Sequence, residues 1–403
     1  MILVGSSNKN KLRYNYSIES GDYQMIIQSE RVWFGNQFVK AQIEVEDGKI
    51  KQILPYGKKK VDIDYKRDRI VPGFIDVHTH GAYGYDTNDA DETKFREWIR
   101  KVPQEGVTAF LPTTVTQSEE VLTNAVSLVA KVVENGYEGA EVLGIHCEGP
   151  YLSVSKKGAQ PEEFIVKPNI EQFKRLQTAA KGLIKYMTVA CEEDQDYEFT
   201  RYLAETGVVV SLGHSSATYD DAIFSYMNGA QTMTHVYNAM SPFGHREPGL
   251  IGAALNMNHM YGEVICDTIH SHYASLQTFY LVKGQDKAVM ITDSLNAKCA
   301  KKGEQYLLGN HKIELYKDGS AHLVDGGNLA GSTLQVHHGL KNLVEVANVP
   351  FQSALNSCTI NPATLLKIQD RKGTLQAGKD ADIVVLNDQY DVIQTYCKGK
   401  EML

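Results

Sequence analysis

Residues 73–80 read GFIDVHTH, a short apolar run that ends in two histidines spaced two residues apart. On a β-strand, residues two apart face the same side, so His78 and His80 can point at one ion. The pair alone is weak evidence, because His270-Ser271-His272 has the same spacing. Its position at the end of an apolar run favours a strand that delivers both imidazoles to a metal site.

Similar apolar runs recur along the chain after this first one. Longer stretches compatible with helices separate most of them, and eight such strands alternating with helices predict an α/β fold of the (β/α)₈ TIM-barrel type. Counting alone leaves an open doubly wound sheet as an alternative. That fold would normally have a glycine-rich phosphate turn after its first strand, and Gly81-Ala82-Tyr83-Gly84 is not one. The seven further runs cover residues 107–113, 142–149, 184–191, 208–214, 231–238, 262–267 and 288–294.

Residues that bind metals or move protons lie at the ends of six of the eight predicted strands. The carboxyl ends of barrel strands converge on one face, where such enzymes build their sites. Taken alone, each residue could equally be a rim, core or helix-capping residue without a function. Such structural roles would not explain why these residues all lie at strand ends. Nitrogen and oxygen donors suit Zn²⁺, Fe²⁺, Mn²⁺ or Co²⁺ alike, which predicts a hydrolase with a metal-activated water. Besides His78 and His80, the set contains Glu148, His214, His235, Asp267 with His270 just beyond it, and Asp293.

The two chain ends have a different character from the barrel segment. Residues 1–24 are polar and unpatterned, and we predict an N-terminal extension there. Residues 25–72 alternate like strands around turns at Gly35-Asn36 and Asp47-Gly48. We predict that they form a small β-sandwich domain with residues 370–403, that residues 73–369 form the barrel, and that a hairpin insertion lies near 300–330.

Composition excludes several classes of function. The 403 residues have a formal net charge of −8, and no basic block exceeds Lys58-Lys59-Lys60. A nucleic-acid or membrane surface is therefore not expected. Six scattered cysteines without a Cys-x-x-Cys pair indicate reduced, buried thiols. With no apolar window for a signal peptide or a membrane helix, we expect a cytoplasmic protein.

A series of motifs resembles the N-acetylglucosamine-6-phosphate deacetylase family of the amidohydrolase superfamily. The match runs from about Met25 onward, and EGP, GHS, HVYNAM, REPG and LAGS in this order are specific to that family. The resemblance implies removal of the N-acetyl group from N-acetylglucosamine 6-phosphate to give glucosamine 6-phosphate and acetate. The motifs are VPGFIDVHTHG, IHCEGPYLSVSKKGAQ, SLGHSSATYDDA, MTHVYNAMSPFGHREPGLIG, VICDTIH, MITDS, GGNLAGSTL and GTLQAGKDADIVVL.

The resemblance also implies roles for the strand-end residues. Glu148, His214 and His235 are the metal ligands common to the family. His78 and His80, which some members replace, add a second metal position that Glu148 bridges. Asp293 is the general base and then the general acid, and one or two divalent ions are expected per chain.

Substrate contacts follow from the same motifs. Asn238, Ala239, Arg246 and His270 match positions that hold the sugar phosphate or its hydroxyls. Ala330 lies in the loop that lines the acetyl pocket. In related enzymes the arginine reaches the neighbouring subunit's site, so a homodimer is expected. Gln160 stands where many relatives have a histidine that touches the substrate, and Ala159, Leu329 and Gly331 complete the predicted substrate-binding set.

Three other functions remain open at this stage. A cyclic-amide hydrolase would bridge its metals with a carbamylated lysine at the end of the fourth strand, but Lys185 lies near the start of that strand. A deacetylase of N-acetylgalactosamine 6-phosphate is a second possibility, because no residue in the sequence distinguishes it from an enzyme for the gluco epimer. A non-catalytic barrel used as a scaffold would typically lose metal ligands, and this chain retains them.

Overall fold

The computed structural model describes residues 24–300, 306–309 and 311–403. The predicted extension lies outside these ranges except for Gln24, which is the first residue of a strand. The strands at the amino end are β1 Gln24–Phe34, β2 Gln37–Glu46, β3 Lys49–Pro55, β4 Ile63–Asp64 and β5 Arg69–Pro72. The turns predicted at Gly35-Asn36 and Asp47-Gly48 join β1 to β2 and β2 to β3, each with its glycine at positive φ.

Parallel strands form the barrel of the TIM type that the sequence predicts. Strands β6, β9, β11, β12, β13 and β14 pair in this order, and β15 pairs with β16. Two hydrogen bonds close the ring: the Val236 amide donates to the Glu263 carbonyl, and the Asp293 amide donates to the His78 carbonyl, both over 2.8 Å. The barrel strands are β6 Phe74–Thr79, β9 Val107–Thr114, β11 Ile145–Glu148, β12 Ile184–Val189, β13 Val209–Leu212, β14 Thr232–Met233, β15 Gly262–Ile265 and β16 Ala288–Ile291. The short strand β10 Glu141–Val142 pairs with β9, and β7 Gly81–Ala82 and β8 Tyr85–Asp86 form a separate antiparallel pair.

Amphipathic helices cover the outside of the barrel. In α2, Ser118 caps the first turn by accepting from the Val121 amide, and Leu122, Val126 and Val129 bury one stripe of the helix. The α-helices are α1 Glu92–Lys101, α2 Glu119–Asn135, α3 Ile170–Ala179, α4 Glu198–Glu205, α5 Tyr219–Met227, α6 Gly249–Asn256, α7 Tyr273–Lys283, α8 Val336–Lys341, α9 Phe351–Ser357 and α10 Ile360–Leu365. A π-helical segment, Asn342–Val346, follows α8, and 3₁₀ turns span Thr87–Asp89, Val102–Glu105, Val154–Lys156, Glu162–Phe164, Cys191–Glu193 and Gln195–Tyr197. Within the described ranges, no helix has both the length and the apolar character needed to cross a membrane.

The insertion after the eighth barrel strand is an antiparallel sheet of three strands, one more than the predicted hairpin. The strands are β17 Tyr306–Leu308, β18 His311–Leu315 and β19 Ala321–Leu323. Their inner faces pack with Val115, Leu295 and Ala330 in a separate apolar cluster. The insertion is thereby held against the loops that follow the barrel strands.

The carboxyl end returns to the amino-terminal strands through β20 Ile383–Leu386, β21 Val392–Cys397 and β22 Lys400–Glu401. Strand β20 pairs antiparallel with β5, so both chain ends build one eight-stranded sheet. Its arrangement as a two-layer sandwich, and the domain boundaries at 72/73 and 369/370, stay predictions.

Five of the six cysteines are buried, as expected, but Cys299 is exposed. Its position explains the difference, because it lies outside the strands and helices, in the segment that leads into the insertion. All six thiols are free.

Candidate metal centre and active site

Five predicted metal ligands and the predicted catalytic aspartate meet at the carboxyl end of the barrel in two groups of three. In each group the ligand atoms all lie within 4.8 Å of one another. All six residues are buried, with at most 8% of their surface exposed. The first group is Glu148, His214 and His235, and the second group is His78, His80 and Asp293.

The Glu148 carboxylate lies between the two groups. Its Oε1 atom is 3.1 Å from His214 Nε2 and 2.9 Å from His235 Nε2. Its Oε2 atom is 3.2 Å from His80 Nε2 in the second group. A carboxylate with one oxygen toward each group has the geometry of a bridging ligand.

The second group is equally compact. His80 Nε2 is 3.1 Å from Asp293 Oδ1, and His78 Nε2 is 3.5 Å from the same oxygen. The two Nε2 atoms are 3.3 Å apart. This confirms the inference from the i, i+2 spacing that both imidazoles face the same point.

The outer nitrogens of three histidines are held by acceptors, which fixes their tautomers. His80 Nδ1 bonds the Thr113 carbonyl over 3.2 Å, and His214 Nδ1 bonds the Lys156 carbonyl over 2.8 Å. His78 Nδ1 bonds the Glu263 carboxylate over 3.0 Å. Because a carbonyl or carboxylate oxygen only accepts, each Nδ1 bears a proton, and Nε2 is the nitrogen that remains for a metal ion.

The backbone at these strand ends is held in an uncommon conformation. His214, His235 and Asp293 have φ angles of 47°, 31° and 48°. A left-handed conformation at a residue other than glycine costs about 1–3 kcal/mol and concentrates at functional sites. Here it turns each side chain from its strand end toward the shared centre.

Charges within the groups compensate one another. Burial lowers the pKa of His80, but Asp293 and Glu148 outweigh this effect and raise it to about 9. Burial raises the pKa of Glu148, yet His78 and His214 hold it well below its usual range. A divalent cation can replace these protons, and the nitrogen and oxygen donors suit Zn²⁺, Fe²⁺, Mn²⁺ or Co²⁺.

Gln160 contacts the ligands themselves. Its Nε2 atom donates to Glu148 Oε2 over 2.7 Å, while its Oε1 atom accepts from the Thr116 amide over 2.8 Å. Gln160 therefore orients the Glu148 carboxylate, and its predicted contact with substrate stays a prediction. Ala159 packs against the apolar cluster under the insertion.

Two other predicted segments border the groups. The Asn238 amide donates to the His235 carbonyl over 3.0 Å, and the Ala239 carbonyl accepts from the Ser215 amide over 3.1 Å. On the other side, a Cβ on Gly331 would lie only 2.9 Å from the Asp293 carbonyl oxygen. The loop with Leu329 and Ala330 therefore passes close to the backbone of Asp293. The substrate roles of these residues stay predictions.

His270 and Arg246 differ in how the structure places them. His270 Nδ1 bonds Asp267 Oδ2 over 2.6 Å, and although burial opposes it, this carboxylate raises the pKa of His270. Arg246 is exposed in the loop before α6 and makes no ion pair within the described part of the chain. Its predicted reach into a neighbouring subunit's site stays a prediction.

Three residues behind the ligands escaped sequence reasoning. Glu263 and Tyr186 are fully buried and hydrogen-bonded to each other, and His146 stacks edge-on against His78 with ring centroids 4.6 Å apart. His146 could have been found, because it precedes Glu148 by two residues on the same strand. Glu263 had a signal too, as the charged residue inside the apolar run 262–267.

The lysine that a cyclic-amide hydrolase needs is in the wrong place. Lys185 lines a cavity with Glu141, Arg371 and Lys398, near the start of β12 and away from the two groups. It therefore cannot bridge metals beside Glu148.

Comparison with known proteins defines the class of protein. The model of the amidohydrolase family matches residues 69–402. This match covers most of the chain, and the chain therefore belongs to the amidohydrolase family.

Relatives within that family agree with the resemblance seen in the motifs. The chain is 40% identical over 389 residues to N-acetylglucosamine-6-phosphate deacetylase of Bacillus subtilis, covering 93% of this chain and 96% of the relative. It is 31% identical over 359 residues to N-acetylgalactosamine-6-phosphate deacetylase of Escherichia coli O157:H7, covering 89% and 94%.

A solved structure of a deacetylase of this kind has a similar fold over nearly its full length. The chain superposes with a TM-score of 0.89, at 27% identity, on a mutant N-acetyl-D-glucosamine-6-phosphate deacetylase of Mycobacterium smegmatis in complex with N-acetyl-D-glucosamine 6-phosphate. The match covers 94% of this chain and 99% of that one.

Proposed function

We propose that this chain hydrolyses the acetamide of N-acetylglucosamine 6-phosphate, releasing acetate and glucosamine 6-phosphate. The observation that carries the proposal is the convergence of Glu148, His214 and His235 with His78, His80 and Asp293 at one mouth of the barrel. The relatives, most of them named for this reaction, supply the substrate.

The metal ligands are Glu148, His214 and His235, joined by His78 and His80. A divalent cation bound there would lower the pKa of a coordinated water toward neutrality and polarise the amide carbonyl. Asp293 Oδ1, 3.1 Å from His80 Nε2, lies where it can accept the proton of the attacking water. The same carboxyl then delivers that proton to the amine leaving group, since one group can act as base and then as acid.

The substrate side of the site is formed by less deeply buried residues. Arg246 takes the phosphate, because a guanidinium donates two parallel hydrogen bonds to phosphate oxygens. His270, which bonds Asp267, and Asn238 with Ala239 hold the phosphate or the hydroxyls. Ala330 lies in the loop that lines the acetyl pocket, and Gln160 contacts the substrate. The rest of the substrate-binding set is Ala159, Leu329 and Gly331.

Arg246 is best explained as a residue shared between subunits. It is exposed and unpaired within the described residues of a single chain, next to Phe243, which is 62% exposed. A homodimer in which this loop reaches the partner's site would cover both side chains. We place the protein in the cytoplasm, where phosphorylated amino sugars are metabolised.

The galacto epimer is the second candidate substrate, because a relative at 31% identity is named for it. Purified protein is assayed for acetate release from both 6-phosphates, and metal is measured in the same sample. Faster turnover of the gluco compound supports the proposal, and faster turnover of the galacto compound transfers it to the epimer. Metal-free protein that stays inactive after metal addition would identify a scaffold instead.

A further inference from the structure

Outside the proposed ligand set, Glu263 carries a buried carboxylate next to a proposed ligand. It lies on β15 with none of its surface exposed. Within the described residues, no lysine or arginine pairs with it, and its only ion-pair partner is His78. A buried carboxylate is costly unless its oxygens are hydrogen-bonded and its charge is compensated.

Both oxygens of Glu263 have a defined partner. Oε2 is 3.0 Å from His78 Nδ1, and Oε1 accepts a hydrogen bond from the Tyr186 hydroxyl. The carboxylate is therefore held from one side by Tyr186 and presented to the outer nitrogen of His78 on the other. Because Nδ1 and Nε2 point away from each other across the imidazole ring, Glu263 cannot reach an ion bound at Nε2.

His78 differs from the other three proposed histidine ligands in the partner of its Nδ1 atom. The Nδ1 atoms of His80 and His214 donate to neutral backbone carbonyls. His235 Nδ1 has no hydrogen-bond partner among the described residues. Only His78 has an anionic acceptor. A carboxylate behind a ligating imidazole fixes its tautomer and raises its basicity toward the metal.

Neighbouring side chains also restrict the orientation of the His78 ring. The His146 ring packs edge-on against it at 4.6 Å, and the same His146 ring lies 4.5 Å from Tyr186. His146 is itself held at both nitrogens, by the Val77 carbonyl at 3.2 Å and by Thr188 Oγ1 at 2.8 Å. This packing leaves His78 one orientation, with Nε2 toward His80 and Asp293.

We propose that Glu263 is a positioning residue which, held by Tyr186, sets the metal affinity of the second group through His78. A cation at Nε2 supplies the charge that compensates the buried carboxylate, so occupancy of the second group and burial of Glu263 stabilise each other. The inference rests on the proposed metal centre, and it assigns to this chain a built-in preference for filling both positions.

The test counts zinc ions rather than turnover. Metal-free protein is dialysed against graded concentrations of buffered Zn²⁺, and bound zinc per chain is measured. Glu263→Gln should weaken one of two positions by about 10–100-fold while leaving the other unchanged. Tyr186→Phe, which removes a single oxygen, should weaken the same position by less.

Matched controls separate positioning from general damage. Glu44→Gln changes another buried glutamate in the chain-end sheet, and Tyr151→Phe removes another buried hydroxyl, which donates to the Asn169 carbonyl. Both should bind zinc like the wild type. In a His78→Ala background, Glu263→Gln should have no further effect on zinc binding, because the partner through which it acts is gone.

The outcomes are distinguishable. Wild-type protein that binds no zinc contradicts the metal centre itself. Wild-type protein with two positions, both retained at normal affinity in Glu263→Gln and Tyr186→Phe, overturns only the role of Glu263. Equal weakening of both positions in these variants also overturns it, since that result describes a damaged barrel.

Discussion

The amide of Asp293 donates a hydrogen bond to the carbonyl of His78 over 2.8 Å, which joins the last barrel strand to the first. The His80 amide donates to the Ser294 carbonyl over 2.9 Å in the same seam. The proposed general base and the two histidines of the second group are thus built on one continuous backbone frame. Rigid placement of this kind is what a proton transfer over hydrogen-bond distance requires.

Asp293→Asn should bind metal at the first group and lose about 10²–10⁴-fold in turnover, because an amide cannot accept the water proton. Acetate release and metal content are measured on the same preparation. Ser294→Ala, the neighbouring change, should retain turnover within a few-fold. Near-normal turnover of Asp293→Asn would remove this residue from the catalytic role.

The double change His78→Ala with His80→Ala should reduce bound metal from about two ions to about one per chain, because it removes both histidines of the second group. Elemental analysis of protein saturated with Zn²⁺ gives the count. His270→Ala, at a histidine outside both groups, should leave it unchanged. An unaltered count in the double variant would exclude both residues as ligands.

Arg246→Ala should raise the KM for the phosphorylated sugar far more than that for the unphosphorylated sugar. A charge-assisted contact of this kind contributes about 1.5–3 kcal/mol, or roughly 10–100-fold. Arg67→Ala, at an exposed arginine in the turn between β4 and β5, serves as the control. Equal effects on the two sugars would show that Arg246 does not contact the phosphate.

Gly331→Ala should destabilise the loop behind Asp293 and lower turnover. A Cβ there would meet Leu295 Cδ2 at 2.6 Å, whereas at Gly327 it would meet nothing within 4 Å. Both glycines have positive φ, 55° and 69°, so Gly327→Ala controls for backbone strain. Crowding should cost Gly331→Ala about 1–3 kcal/mol more in the free energy of unfolding, measured by denaturant titration.

Asp86→Asn should stabilise the metal-free protein increasingly as pH rises from 4 to 7. Burial raises the pKa of Asp86 to about 7, and one of its oxygens has no hydrogen-bond partner within the described residues. The folded state therefore binds more protons than the unfolded state in this range, and wild-type stability falls as pH rises. Asparagine removes this pH-dependent contribution, worth about 1–4 kcal/mol at pH 7. The free energy of unfolding is measured by denaturant titration at each pH, and Asp47→Asn, an exposed aspartate in the chain-end sheet's second turn, serves as the control variant.

Strand-level features could be predicted because they depend on local pattern. Apolar runs placed the eight barrel strands, and the i, i+2 spacing placed His78 and His80 on one face. The pairs Gly35-Asn36 and Asp47-Gly48 placed the turns of the amino-terminal sheet, because glycine readily adopts the positive φ that such turns need. The candidate ligands lie together because parallel strands bring their carboxyl ends to one mouth of the barrel, whatever the intervening distance in sequence.

The sequence by itself determined which donor atoms gather at the barrel mouth, since order of strands and position within each strand are properties of the chain. Only the tertiary structure decided what lies behind those donors. Glu263 supports His78 from 185 residues away in the sequence, and Gln160 holds Glu148 from 12 residues away. Such contacts follow from side-chain geometry in three dimensions, which no local periodicity encodes.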